Sequence, residues 1–183
     1  AKGGDYCKYY YDLDLVLNWA DNGRELKDYI LAKAGSVTKR IYSQAYYFRE
    51  GLTYVYVTVK GFNVRYLPKG SIFSHAGNSI FPKRQSDLWP LLGLLNSSAV
   101  QFLLSLLTDS RKYEVGYVSH VPVPDLADAE ALGDDAKRAC RLKACWDTGN
   151  EVCTQFSAPW LMHLAKPRGK ASAQGLGSIP QMI

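Results

Sequence analysis

The run Leu88–Leu107, LWPLLGLLNSSAVQFLLSLL, is the longest and most apolar stretch of the chain, and it limits the folds open to everything around it. A membrane-spanning helix needs about 20 apolar residues, so length alone would admit one. Asn96, Ser97, Ser98 and Gln101 argue against it, because hydrocarbon offers their polar groups no partners. The run reads instead as two helices. Pro90 suits the first turn of one, which carries Leu91, Leu92, Leu94 and Leu95 and stops at Asn96-Ser97. Ser97 or Ser98 then caps a second, with Val100, Leu103, Leu104 and Leu107 at helical spacing. Both helices are too apolar to stand in water, and the strand-rich region before them is the surface they must cover.

A chain of 183 residues that is 47% hydrophobic and 21% charged is globular rather than disordered. Its net charge of +5 is uneven. Residues 1–124 hold 15 Lys and Arg against 10 Asp and Glu, whereas residues 125–183 hold 7 of each. All the excess positive charge therefore lies in the strand-rich part, which is compatible with a nucleic-acid partner and does not by itself establish one. The sequence shows no signal peptide or lipidation motif, which points to a cytoplasmic protein without a membrane partner. Cys7, Cys140, Cys145 and Cys153 are then expected as thiols, and without a C-x-x-C pair a zinc site from the last three with His163 is disfavoured. From the start at Ala1-Lys2-Gly3-Gly4, without Met, we expect a piece cut from a longer polypeptide.

Alternation predicts a half-buried strand through Leu13, Leu15 and Leu17. Asp21-Asn22-Gly23 predicts a turn and a cap, followed by a helix with Leu26, Tyr29 and Ile30 on one face that ends at Gly35. Leu52–Val59 and Phe62–Leu67 read as strands joined at Lys60-Gly61, and Pro68-Lys69-Gly70 as a second turn. Ile72-Phe73 and Ile80-Phe81 read as short strands with a tight bend at Gly77-Asn78, and Tyr113–Val118 as a last strand. After the extended Val121-Pro122-Val123-Pro124, residues Asp134–Asp147 predict an exposed helix with Ala139, Leu142 and Trp146 inward. From Lys166 the Gly-, Ser- and Lys-rich sequence predicts a loosely ordered tail.

No catalytic constellation is present: the sequence lacks a Gly-rich phosphate loop, H-E-x-x-H and G-x-S-x-G, and His75, His120 and His163 are isolated. Aromatic residues beside cations are more suggestive. Tyr9, Tyr10 and Tyr11 follow Lys8; Tyr46, Tyr47 and Phe48 precede Arg49; Arg65 precedes Tyr66. Cations that neutralise phosphates, with rings that stack, are what a DNA surface requires, although sheet cores are rich in the same rings.

Several blocks, in order, resemble one family. Lys2-Gly3-Gly4 and Asn18-Trp19-x-Asp21-Asn22-Gly23-x-Glu25-Leu26-Lys27 are similar to the KGG and NWENDGxEIK runs of PglX-type adenine-specific DNA methyltransferases, from bacterial BREX and phage-growth-limitation defence systems. Tyr47–Thr53, Phe62–Phe73, Ala76–Pro82, Leu91–Ser97, Val121–Pro124 and Cys145-Trp146-Asp147 continue the match, with Ala20 and Tyr54 where the family has Glu and Trp. The Asn/Asp-Pro-Pro-Tyr motif that holds a flipped adenine in such enzymes is absent, as is their Gly-rich cofactor loop.

The resemblance thus implies a segment downstream of the catalytic domain, similar to the target-recognition domains of type I specificity subunits and type IIG enzymes. It implies double-stranded DNA as partner, a catalytic domain on the same polypeptide that uses S-adenosylmethionine, and no cofactor or metal held by this chain. The alternative is a protein-interaction module that joins other defence-system subunits without touching DNA. The expected fold is α+β. A curved, mainly antiparallel sheet packs on the Leu-rich helices over residues 1–124, with a helical appendage at 125–165 and a tail at 166–183. The candidate DNA contacts are Lys39, Arg40, Arg49, Arg65, Lys69, Lys83 and Arg84, which lie in or beside turns and strand ends, where recognition residues usually sit.

Overall fold

The computed structural model describes residues 3–74, 76–108 and 111–165, the last three without their side chains, so the expected tail lies outside the described residues. Helix α1 (Ala20–Ala34) opens on a left-handed turn at Asp21, Asn22 and Gly23 and closes at Gly35, whose φ of 71° lets its N–H reach the carbonyl of Leu31. Strands β1 (Gly51–Val55), β2 (Val64–Leu67) and β3 (Gly77–Ile80) follow. β1 is central and antiparallel to both neighbours, with Gly51 opposite Leu67 and Leu52 opposite Ile80. The fold is α+β, as expected.

Leu52, Tyr54 and Val64 point from one sheet face into the main core. Helices α2 (Leu88–Leu95) and α3 (Ser98–Leu107) close that core with Leu88, Leu91, Leu92, Leu95, Val100 and Leu104. The break falls where the sequence places it: Ser97 Oγ accepts from the Val100 N–H at 3.3 Å, and the two helical segments bend by 73°. No single described helix is long and apolar enough to cross a membrane.

The polar residues of the break have a second role. Val64 turns its N–H and C=O toward the open edge of β2, where the Asn96 carboxamide meets both, Oδ1 accepting at 3.1 Å and Nδ2 donating at 2.9 Å. Gln101 Oε1 accepts from the Phe62 N–H at 2.8 Å, and Tyr9 pairs with Val64 and Tyr66 through its own backbone. An exposed strand edge is an aggregation hazard, and here helix side chains and one extended residue cover it.

The occupied edge explains one failed expectation. Leu13–Leu17 does not form a strand; Leu15 and Val16 lie in solvent, and the edge that could have paired this segment is taken. β1 ends at Val55 instead of Val59, and Ile72-Phe73 is irregular, packed on a smaller cluster of Ile30, Ile41 and Tyr47. Gly77-Asn78 is not a bend but the start of β3, held by the rungs to Val55 and Tyr54. Tyr29 of α1 is exposed, because that smaller cluster takes Leu26, Ile30 and Ala34 from its helix face. Tyr113–Val118 is not a strand either. Tyr113 makes one backbone bond to Tyr56 and buries its ring, after which the chain turns into the short helix α4 (Val115–Ser119).

Helix α5 (Glu130–Asp147) starts four residues earlier than expected and turns a different face inward: Gly133, Ala136 and Cys140 are buried, while Leu142 and Trp146 are exposed. Close approach to α2 sets this choice. A Cβ on Gly93 would lie 2.7 Å from Leu132 Cδ1, and one on Gly133 3.0 Å from Pro90 Cδ, so only a small-residue stripe fits. Trp146 instead meets Trp160 of α6 (Trp160–Ala165), ring centroids 5.1 Å apart.

Candidate nucleic-acid interface

The register of the sheet brings three distant cations to one end. Arg49 precedes β1, Lys69 follows β2 and Lys83 follows β3, and these three strand ends lie side by side because Gly51 faces Leu67 and Leu52 faces Ile80. All three side chains are exposed, and among the described residues none forms an ion pair. Backbone bonds fix two of them relative to each other: Phe48 N–H donates to Ser71 O at 2.9 Å, and Gly70 N–H to Phe48 O at 3.0 Å.

Rings surround this group. The Arg49 guanidinium lies 5.1 Å from the Tyr46 ring and 5.6 Å from Phe81, and those rings are 5.2 Å apart. Phe81 continues through Phe73 to Tyr47 and Trp19, an aromatic chain that joins the sheet end to the start of α1. Burial raises the Tyr47 hydroxyl above the usual phenol range, so it stays protonated and packs as a neutral ring. Glu50, the nearest acid in sequence, is occupied: it accepts from Tyr66 Oη and Gln85 Nε2. Arg49 therefore keeps a pre-oriented planar fork, the geometry that reads a guanine edge or a phosphate.

The other candidates fall elsewhere. Arg84 pairs with Asp87 at 3.0 Å and reaches Asp125 at 3.8 Å, and the Asp87 bond raises its pKa further. Lys39 donates to Ala34 O at 2.9 Å and so closes α1, with the exposed Arg40 next to it. Arg65 does not belong to the surface. It is 2% exposed, donates to Gly3 O and to Asp5 O (3.2 Å), and lies 4.8 Å from the Tyr11 ring. Burial lowers its pKa, and its place is to hold the N-terminal segment across the sheet. We expect Arg65→Lys, which keeps the charge and loses the fork, to cost about 1–2 kcal/mol in urea unfolding while leaving any salt dependence of DNA binding unchanged.

The Lys8–Tyr11 set is structural as well: Lys8 Nζ donates to Asn96 O at 2.9 Å and Tyr9 pairs with β2. An open cleft of about 450 Å³ beside this segment is lined by Asp12, Asp14 and Asp147 against the one cation Lys143, with Tyr6, Tyr10 and Trp146, and this net negative charge repels phosphate. All four cysteines are free thiols, and no metal-holding group of His, Cys, Asp and Glu occurs among the described residues; His75 and the His163 side chain lie outside them. Phe81 was not among the sequence candidates. Its only signal is its place at the end of β3, which becomes informative once the register sets it beside Arg49.

No family model matches the chain. It is 30% identical over 163 residues to the adenine-specific methyltransferase BrxX of Escherichia coli O9:H4 (strain HS), a match that covers 87% of this chain and 12% of the relative. It is also 30% identical over 122 residues to the adenine-specific methyltransferase PglX of Lacticaseibacillus casei (strain Zhang), covering 67% of this chain and 10% of that protein. The chain thus spans about a tenth of the length of these curated relatives.

Proposed function

Because the chain belongs, as a segment, to the PglX-type family of adenine-specific methyltransferases, we propose that it recognises the DNA target for such an enzyme. The observation that carries this reading is the end of the sheet, where Arg49, Lys69 and Lys83 stand around exposed rings without carboxylate partners among the described residues. Lys69 and Lys83 would hold phosphates and fix register, and Arg49 would read a base edge. Methyl transfer from S-adenosylmethionine to the flipped adenine would belong to a catalytic domain of the parent polypeptide, since the adenine-holding and cofactor motifs are absent from this sequence. The test is the salt dependence of duplex binding. Two phosphate contacts predict a slope of log affinity against log salt near −1.8, at about −0.9 per contact. A flat dependence, or no binding, would reject the reading.

One observation favours the alternative of a protein-interaction module within a defence complex. Phe102, Leu106 and Leu107 form an exposed apolar row on α3, at the other end of the sheet from Arg49. Flat salt dependence would move the assignment there.

A further inference from the structure

Phe48 carries a feature that the cations beside it do not explain. Its φ of 63° is left-handed, where a Cβ crowds the backbone and where Gly or Asn would normally serve. The residue is nevertheless a large aromatic and is 42% exposed. The conformation is imposed by the Gly70–Ser71 turn, through the bonds from Phe48 N–H to Ser71 O and from Gly70 N–H to Phe48 O. It has a definite consequence: Tyr47 turns inward onto Ile30 and Ile41, while the next ring turns out to solvent beside Arg49 and one residue from Lys69. Behind it, Trp19 and Tyr47 meet the Phe48 ring edge-on, at 6.1 and 6.5 Å, so the ring is buttressed. Strain of this kind persists where the surrounding structure over-determines it and often marks a functional residue.

An apolar ring among phosphate-binding cations gains nothing from the charged backbone of DNA. The apolar surface that DNA offers is the face of a base, reached by opening a step of the stack. Of the other exposed rings of this loop, Tyr46 is stacked by the Arg49 guanidinium and Tyr42 turns its hydroxyl back onto Lys39 O, which leaves Phe48. We propose that Phe48 is an aromatic wedge that enters an opened base step while Arg49, Lys69 and Lys83 hold the flanking strand; this rests on the DNA-recognition reading above.

The test uses the whole chain with two short duplexes, one fully paired and one with a central mismatch next to 2-aminopurine. A wedge meets less resistance where stacking is already weak. The wild type should therefore bind the mismatched duplex about tenfold tighter, because less of the cost of opening the step falls on binding there, and brighten the probe. Phe48→Gly accepts the left-handed backbone without strain, so it removes the ring and keeps the loop. Phe48→Asn, which also tolerates this conformation, controls for added flexibility. Both should bind the two duplexes about equally and leave the probe dark, with the salt slope unchanged. Equal wild-type affinity for the two duplexes on a steep salt slope would overturn the wedge and spare the recognition reading. So would mismatch preference and probe brightening that persist in Phe48→Gly. Absence of salt-dependent binding by the wild type would reject both.

Discussion

Asn96→Ala should lower the unfolding free energy by about 2–4 kcal/mol, the largest effect expected from a single substitution of a polar residue here. Asn96 is 4% exposed, and its carboxamide does for β2 what a neighbouring strand would do: it accepts from Val64 N–H and donates to Val64 O. Nδ2 also donates to Leu92 O at 3.0 Å, which secures the last turn of α2. Alanine supplies neither function and leaves the Val64 N–H buried without that acceptor, at about 1–3 kcal/mol for the orphaned group. Asn96→Asp keeps an acceptor but sets a carboxylate against two carbonyls, so it should also destabilise, and more at neutral than at acid pH. Ser98→Ala, at an exposed position in the same break, should stay within about 0.5 kcal/mol. Urea unfolding of the three variants checks the set, and an Asn96→Ala loss no larger than that of Ser98→Ala would mean that water replaces the carboxamide.

The largest effect on binding is expected from the triple substitution of Arg49, Lys69 and Lys83 by Ala. Each phosphate contact contributes about 0.9 log units of affinity at ~0.1 M salt by counterion release. Removing two phosphate contacts and one base contact should cost between about two and four powers of ten and flatten the salt slope by about 1.8. Arg84→Ala is the internal control. Its guanidinium is committed to Asp87, so the slope should change by much less than one contact's worth. Arg49→Lys separates charge from shape: it should keep the slope and alter sequence preference, because an ammonium cannot form the bidentate fork. Filter-binding or anisotropy titrations at several salt concentrations distinguish these outcomes, and a triple variant that binds as the wild type does would remove this end of the sheet from the site.

Much of this was legible in the sequence, for local reasons. Pro90, the Asn96-Ser97 break and the Leu spacing on either side specify two helices because caps and periodicity act over a few residues. Asp21-Asn22-Gly23 and Gly35 specify where α1 begins and ends, since Gly and Asn accept positive φ. The ordered blocks from Lys2 to Asp147 carried the family resemblance, and the relatives bear it out. The candidate site was half legible. Exposed cations near turns could be named, but whether each was bound to a neighbour could not. Arg65 and Arg84 look no different in sequence from Arg49, yet one is buried under the N-terminal segment and the other is paired with Asp87.

Tertiary structure alone decided the rest. Asn96 and Gln101, visible in sequence only as interruptions of an apolar run, became the groups that cover the edge of β2, because that edge lies against the break in the helices. The occupied edge then kept Leu13–Leu17 from becoming a strand despite its alternation, since a strand exists only with a partner. The buried face of α5 was chosen by the nearness of α2, which admits Gly133 and Ala136 and expels Trp146, although hydrophobicity alone would choose the reverse. Arg49, Lys69 and Lys83 became one group only through the register of three strands. Register is fixed by long-range pairing, and no local property of these residues encodes it.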